Sequence, residues 1–167
     1  HYGNSLYIIS THTRESADSV DNTTETASKQ IKLEHPQDIK CAAWDPLGRL
    51  IATACGDGQA YIWDPQTPDA PTTTLQGHNS QVRHVAFHPQ GELLLTHSWD
   101  NTSRIWNVGS GVELLSIPHL GRQFSQDGKW LGFERDHEVV GRYEIALPEV
   151  CKTLHVAKNA KITDLEF

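Results

Sequence analysis

The sequence predicts an all-β protein built from antiparallel units that repeat along the chain. The residues from His35 to Trp63 overlay the residues from His78 to Trp106 at a single offset of 43 residues, and no gap is needed. Short apolar runs recur between clusters of Gly, Pro, Asp and Asn, which is typical of strands joined by turns, whereas helix signals are nearly absent. A period of this length indicates units that bury their apolar faces against their neighbours.

Each repeat contains three clear strand-length runs. These runs are Ile39–Trp44, Leu50–Cys55, Gln59–Trp63, Val82–Phe87, Leu93–Ser98 and Thr102–Trp106. The first and second run of each repeat are joined by a Pro- and Gly-containing turn, at residues 45–48 and 88–91. Residues 56–58 and 99–101 are tight hairpin turns. Leu93, Leu94 and Leu95 are apolar on both strand faces, so we expect small sheets stacked face to face.

Shorter units flank this pair. A third unit follows at an offset of 37 residues, which aligns Phe87 with Phe124 and Trp106 with Tyr143, and residues 162–167 begin a fourth. Upstream, residues 7–10 are expected to end a preceding unit, residues 11–28 to form a polar loop and residues 29–33 to form an outer strand. The predicted divisions are therefore 1–34, 35–77, 78–119, 120–159 and 160–167. The missing initiator Met suggests an excised piece of a longer protein.

Composition excludes several classes of function. The formal net charge is −7 and no Lys/Arg cluster is present, so neither a nucleic acid nor an anionic membrane surface is an expected partner. No apolar stretch is long enough to cross a bilayer, and no signal peptide is visible. Cys41, Cys55 and Cys151 lie in apolar runs and are interpreted as small buried residues rather than disulfides or metal ligands. A cytoplasmic location is expected on the basis of these cysteines and the missing signal.

The repeated residues resemble the WD-repeat pattern. Gly77-His78, Ser98-Trp99-Asp100 and Ile105-Trp106-Asn107 carry the resemblance, the first unit ends in Trp63-Asp64, and the similarity is strong over residues 35–107. The resemblance implies four-stranded antiparallel blades of a β-propeller, here an incomplete and open array. The degenerate later repeats are also similar to the WD regions of large bacterial multidomain signalling proteins.

The resemblance further implies a hydrogen-bonded set of four residues in each blade. In the second unit these residues are His78, Ser98, Asp100 and Trp106, and in the first unit they are His35, Cys55, Asp57 and Trp63. Such a set can satisfy every buried polar atom and fix the hairpin turn. The first set is expected to be looser because Cys is a weak hydrogen-bonding group. The third unit has no usable set and is expected to depend on packing.

Catalytic and metal sites are not predicted. His78, Ser98 and Asp100 are the residue types of a hydrolase triad, but their repetition in register with a Trp indicates a structural network. His84 and His88 lie four residues apart, about 13 Å along a strand, which is too far for two direct metal ligands. Both are interpreted as surface or loop histidines. No nucleophile, metal cluster or cofactor fingerprint is present, so no cofactor is expected.

The predicted function is a non-enzymatic platform for protein or peptide binding. The resemblance implies contacts on the narrower face of the ring, beside the repeat His and the turn Asp. The candidate residues are Asp38, Lys40, Gly56, Gln81, Arg83 and Trp99. Trp99 is the residue of most interest, because an exposed turn Trp is a typical hot spot. The alternative for this side chain is ordinary packing on a neighbouring loop. Further blades from the same polypeptide or another copy are expected. The alternative is a regulatory segment of a larger signalling enzyme, such as a kinase or nucleotide-switch protein.

Overall fold

A computed structural model describes residues 3–13, 26–135 and 139–145. Within these ranges the chain forms β-strands and no helix, which confirms the predicted all-β class. The strands, numbered β1 to β13 in chain order, are Ser5–Thr13, Thr26–Glu34, Ile39–Trp44, Ile51–Cys55, Ala60–Trp63, Thr73–Leu75, Val82–Phe87, Leu93–Ser98, Ser103–Asn107, Glu113–Ile117, Leu120–Phe124, Trp130–Arg135 and Val139–Glu144.

The strands form small antiparallel sheets in which neighbours in sequence are neighbours in space. Strands β3 to β6 make one four-stranded sheet and β7 to β10 make another, which confirms the blade architecture. Strands β11 to β13 pair in a third sheet, and β1 pairs with β2. The six strand-length runs of the two strong repeats agree with β3 to β5 and β7 to β9 to within one residue at each end.

The predicted turns owe their shape to residues that tolerate a positive φ angle. Gly48 and Gly91 adopt φ values of 66° and 78° and donate backbone hydrogen bonds to Asp45 and His88. Asn101 adopts a φ of 63° at the tip of the β8–β9 hairpin, where Asn is one of the few side-chain-bearing residues that fit. These turns hold successive strands in the registers that the sheet requires.

The predicted loop at residues 11–28 is shorter than expected. Strand β1 continues to Thr13 and β2 begins at Thr26, so the pair extends into the polar segment from both sides. Polar composition alone could not predict where β1 and β2 end in this segment, because the hydrogen bonds between paired strands are made by backbone groups. Four predicted features lie outside the described residues: the rest of the loop, His137 at the turn-Asp position of the third unit, Cys151, and the start of a fourth unit at residues 162–167.

The sheets stack face to face and share apolar cores between them. One core joins the β3–β6 and β7–β10 sheets around Ile62, Leu94 and Trp106. A second core joins the β7–β10 sheet to β11–β13 around Leu95 and Leu131. Leu94 and Leu95 are fully buried on opposite faces of β8, as the doubly apolar run predicts. Each such leucine contributes about 1.5–3 kcal/mol through burial.

Two polar side chains add specific links between sheets. His88 is fully buried, and its Nε2 lies 2.8 Å from the carbonyl oxygen of Gly128 in the next sheet. His88 does lie in a loop, but the prediction that it is a surface residue is wrong, because its turn packs against the next sheet. Ser103 Oγ donates to the His119 carbonyl and accepts the Gly121 N–H, both at 2.7 Å.

Candidate functional site

A chain of hydrogen bonds crosses the β7–β10 sheet beneath the β8–β9 turn. Trp106 Nε1 donates to Thr96 Oγ1 at 2.9 Å, and Thr96 Oγ1 lies 2.8 Å from His78 Nε2. His78 Nδ1 lies 2.9 Å from Asp100 Oδ2. Because a carboxylate only accepts, His78 carries its proton on Nδ1 and accepts the Thr96 hydroxyl proton on Nε2. Every member is thereby satisfied.

Asp100 collects further donors that fix the turn. Its carboxylate accepts the Asn79 N–H, the Thr102 N–H and the Thr102 hydroxyl at 2.7–2.9 Å. Burial alone would raise the pKa of Asp100, but the hydrogen bonds from Thr102, Asn79 and His78 outweigh it and hold the pKa well below its usual range. Burial lowers the pKa of His78 despite the opposing effect of Asp100, so the ring is neutral at pH 7.

The hydroxyl in this chain belongs to Thr96, not to Ser98 as the resemblance implied. Trp106 pairs with Leu94, and Thr96 lies two residues farther along the same strand face, about 7 Å away. Ser98 lies a further two residues along, beyond the reach of the indole. Ser98 Oγ instead donates to the Ser80 carbonyl at 2.9 Å and accepts the Asp100 N–H. Because its hydroxyl is buried and bonded to backbone, Ser98 is not positioned as a triad nucleophile.

The first repeat builds a shorter version of the same chain. Trp63 Nε1 donates to Thr53 Oγ1 at 3.1 Å, and Thr53 Oγ1 lies 2.7 Å from His35 Nε2. Cys55 is outside the chain and donates to the Gln37 carbonyl, which is the counterpart of the Ser98 bond. Asp57 does not join His35 but accepts the Tyr61 hydroxyl at 2.5 Å. The turn is consequently not tied to His35 by a side-chain bond.

Stacked rings occupy the corresponding place in the β11–β13 sheet. Phe133 and Tyr143 stand at the positions of Thr96 and Trp106 when the 37-residue offset is applied. Their ring centroids lie 4.5 Å apart, and the His119 ring stacks on Phe133 at 4.9 Å with an interplanar angle of 15°. Phe133 has no hydroxyl to relay a hydrogen bond, so aromatic stacking replaces the hydrogen-bonded chain in this sheet.

The candidate binding residues meet at the end of the sheets that carries the 56–58 and 99–101 turns. Asp38 and Gln81 precede β3 and β7, and their carbonyls accept the Gly56 and Trp99 N–H groups at 2.9 and 3.0 Å. Lys40 Nζ lies 3.6 Å from Asp38 Oδ2. A groove of about 490 Å³ runs along this end, lined by Gly3, Asn4, Pro36, Gln37, Asp38, Lys40, Gly56 and Gln81.

Trp99 projects from the turn beside this groove. Its side chain is 59 % exposed, and the Arg83 guanidinium carbon lies 4.6 Å from its ring centroid. Stacking of this kind holds both side chains flat and is worth about 0.5–1 kcal/mol at exposed sites. Arg83 is exposed, and no carboxylate in the described part of the chain pairs with it. Trp99 and Arg83 together form an exposed aromatic and cationic surface, here called the Trp99–Arg83 pair.

Some residues of the site were not predicted from the sequence. Thr53 and Thr96 occupy equivalent positions at the 43-residue offset and could have been found as the hydroxyl donors from that spacing. Asn4, Pro36 and Gln37 line the groove, but they carry no motif that would single them out. In residues 3–13, 26–135 and 139–145, no group of three or more His, Cys, Asp or Glu residues could hold a metal ion. No helix long and apolar enough to cross a membrane occurs among the described residues.

Comparison with known proteins identifies the repeats. The family model of the WD domain, G-beta repeat, matches residues 28–64 and 69–107. The chain is 39 % identical over 97 residues to Periodic tryptophan protein 2 homolog of Dictyostelium discoideum, which covers 54 % of this chain and 10 % of that protein.

Two other relatives are more distant or match a shorter segment. Ribosome assembly protein 4 of Chaetomium thermophilum is 35 % identical over 66 residues, 39 % of this chain and 13 % of the relative. WD repeat-containing protein 1 of Gallus gallus is 27 % identical over 106 residues, 62 % of this chain and 17 % of the relative. The chain thus spans between about a tenth and a sixth of the length of these relatives.

Proposed function

Residues 28–64 and 69–107 are WD repeats, and from this premise we propose that the chain is a non-enzymatic platform for protein or peptide binding. The single observation that supports this proposal most is the Trp99–Arg83 pair, an exposed aromatic ring stacked by a cation on a fixed turn. Interface hot spots are enriched in Trp and Arg. The groove lined by Asp38, Lys40 and Gln81 continues the same surface.

The turn beneath Trp99 favours a rigid anchor. Its backbone N–H is bonded to Gln81, the following Asp100 is held by His78 and Thr102, and Asn101 closes the hairpin. A side chain that is already ordered loses little conformational entropy when it binds. The same network therefore stabilises the blade and prepares its exposed turn for contact.

The charges of this surface define the partner that we expect. Arg83 offers a guanidinium to a carboxylate, and Trp99 offers an apolar face beside it. A peptide segment with an acidic residue next to an apolar one would satisfy both. We also propose that the repeats divide at 35–77, 78–119 and 120–159, which is supported by the sheets that lie inside each range. A cytoplasmic location is supported by the unpaired Cys41 and Cys55.

Peptide selection tests this function and needs no identified partner. Peptides selected from a random displayed library on the wild-type chain would be titrated against Trp99→Ala, Arg83→Gln and Trp44→Ala. Trp44 is a matched control because it is 50 % exposed but lies at the opposite end of β3 from the 56–58 turn. We expect Trp99→Ala to weaken binding about tenfold or more, as loss of a hot spot does.

The other variants sharpen the result. Arg83→Gln should weaken the binding of acidic peptides. The loss of affinity should be largest at low salt, because exposed charges are screened as ionic strength rises. Trp44→Ala should bind like the wild-type chain. All variants should stay folded, and loss of the stacking should lower the melting temperature of Trp99→Ala and Arg83→Gln by no more than about 4 °C. Equal affinity of Trp99→Ala and wild type for every selected peptide would contradict the proposal.

A further inference from the structure

Cys41 and His84 lie side by side on the first strands of neighbouring sheets. They occupy equivalent positions of the two repeats, 43 residues apart, on β3 and β7. Cys41 Sγ lies 3.8 Å from His84 Nδ1, and the thiol also lies 3.9 and 4.0 Å from the Val85 and Ala42 carbonyl oxygens. Of these three acceptors, only the imidazole can take up the thiol proton.

The third sheet fixes which nitrogen of His84 is free. His84 Nε2 lies 2.8 Å from the Arg122 carbonyl oxygen on β11, and a carbonyl only accepts. The Nε2 atom therefore carries the proton of the neutral ring, which leaves the Nδ1 lone pair directed at Cys41. A nucleophile, its base and a group that orients the base are thus supplied by three adjacent sheets.

The surroundings distinguish Cys41 from Cys55. Cys41 is half-buried rather than fully buried, and hydrogen bonding to His84 lowers the pKa of its thiol against the opposing effect of burial. Hydrogen bonding to Cys41 in turn raises the pKa of His84, while burial and the Arg122 charge oppose the rise. His97 is the cross-strand neighbour of His84. Cys55 is fully buried, and burial raises the pKa of its thiol.

We propose that Cys41 is a nucleophilic thiol site for small disulfides, with His84 as its proton acceptor. The thiol proton moves to His84 Nδ1, and the Cys41 thiolate attacks one sulfur of the disulfide. The S–S bond breaks as a new bond to Cys41 Sγ forms, and the departing thiolate takes the proton from His84. The disulfide is the oxidant, Cys41 is oxidised to a mixed disulfide, and one thiol is released for each thiol consumed.

The test follows modification of the chain by dithiodipyridine, with peptide mass spectrometry to assign each cysteine. At pH 7 we expect Cys41 to react at least tenfold faster than Cys55. The pH midpoint of the Cys41 rate should lie below the value of about 8.5 that an ordinary cysteine shows. His84→Gln should shift that midpoint upward and slow Cys41 at pH 7, while the Cys55 rate stays unchanged.

Unfolding supplies a measurement that does not depend on the variant. In the wild-type chain, concentrated urea should return the Cys41 midpoint to about 8.5, because the imidazole is no longer beside the thiol. A wild-type midpoint at or above that value, or one that neither His84→Gln nor urea moves, would overturn the proposal. Faster modification of Cys55 in His84→Gln would show that this variant is partly unfolded. The comparison of the wild-type chain with and without urea would then decide whether the folded structure lowers the Cys41 midpoint.

Discussion

The Thr96 hydroxyl stands between two buried rings that each need a polar partner. It accepts from the Trp106 indole and donates to His78, whose other nitrogen donates to Asp100. An unsatisfied buried donor or acceptor costs about 1–3 kcal/mol, so each link stabilises the fold mainly by preventing that cost. One hydroxyl at this position therefore joins the indole of β9 to the turn that carries Trp99.

Removal of the Asp100 carboxylate tests this hydrogen-bonded chain at the end that lies in the β8–β9 turn. We expect Asp100→Ala to lower the free energy of unfolding by about 1–3 kcal/mol, because His78, Asn79 and Thr102 lose their acceptor. Asp57→Ala is the matched control at the equivalent position, and it should cost less because Asp57 does not bond to His35. Urea denaturation measures both. Equal losses, or none for Asp100→Ala, would show that the hydrogen-bonded chain does not stabilise the blade.

Histidine titration gives this protein a defined dependence of stability on pH. Burial lowers the pKa of His97 to about 4, and it also lowers the pKa values of His78 and His35. Such groups bind protons more tightly when the chain is unfolded, at a pKa of about 6.5. Their stabilising contribution is complete above that value and is lost as the pH falls toward 4. His84, whose pKa is raised, opposes part of the loss.

Denaturation at pH 7.5 and pH 5 measures this effect while exposed carboxylates stay ionised. We expect a lower free energy of unfolding at pH 5 and a smaller difference in His97→Gln. A wild-type chain that is as stable at pH 5 as at pH 7.5 would contradict this explanation. The resemblance implied His78, Asp100 and Trp106. The hydroxyl of Thr96 rather than Ser98 is selected by strand register, and the recurrence of a Thr at positions 53 and 96 is the one sequence signal that points to it.

Turns determine how the elements stack. Gly91 and Gly128 occupy equivalent turns, with φ values of 78° and 73°, but their surroundings differ. A Cβ atom at Gly128 would lie 2.5 Å from Nε2 of the buried His88, whereas at Gly91 the nearest atom is a Pro46 carbon at 3.6 Å. The turn of one sheet is therefore fitted against a histidine of the sheet before it.

The two glycines form a matched pair for measurement. Gly91→Ala should cost about 1–2 kcal/mol of stability, the strain of a left-handed residue with a side chain. Gly128→Ala should cost about 1–3 kcal/mol more, because His88 must also move. Thermal melting compares the two variants. A Gly128→Ala chain no less stable than Gly91→Ala would show that the His88 contact does not hold the sheets together.

Strands of the strong repeats could be predicted because three signals coincide there. Short apolar runs, Pro or Gly in the turns and a constant offset all place β7 and β8 at their observed bounds. The offset changes in the third unit, and the polar ends of β1 and β2 carry no apolar alternation. The limits of β1 and β2 are set by backbone pairing, which amino-acid composition hardly predicts.

At the scale of the whole molecule, the stacked sheets bring residues from separate repeats to one surface. Gln81 contacts both the groove and the turn of Trp99, so it links the surfaces of two blades. The resemblance indicated which side chains stand at this end, but the groove and the Arg83–Trp99 stacking depend on rotamers and on packing between sheets. A sequence offset cannot supply those distances.

The indole resonances of the chain show whether a partner binds at the exposed Trp99 surface. The sequence has five Trp residues, so a ¹H–¹⁵N spectrum separates Trp99 from the buried Trp63 and Trp106 and from Trp44 at the opposite end. On titration with a selected acidic peptide, we predict that the Trp99 indole signal shifts progressively while those of Trp44, Trp63 and Trp106 stay in place. A saturable shift of the Trp44 signal with the Trp99 signal unmoved would contradict binding at the Trp99–Arg83 pair.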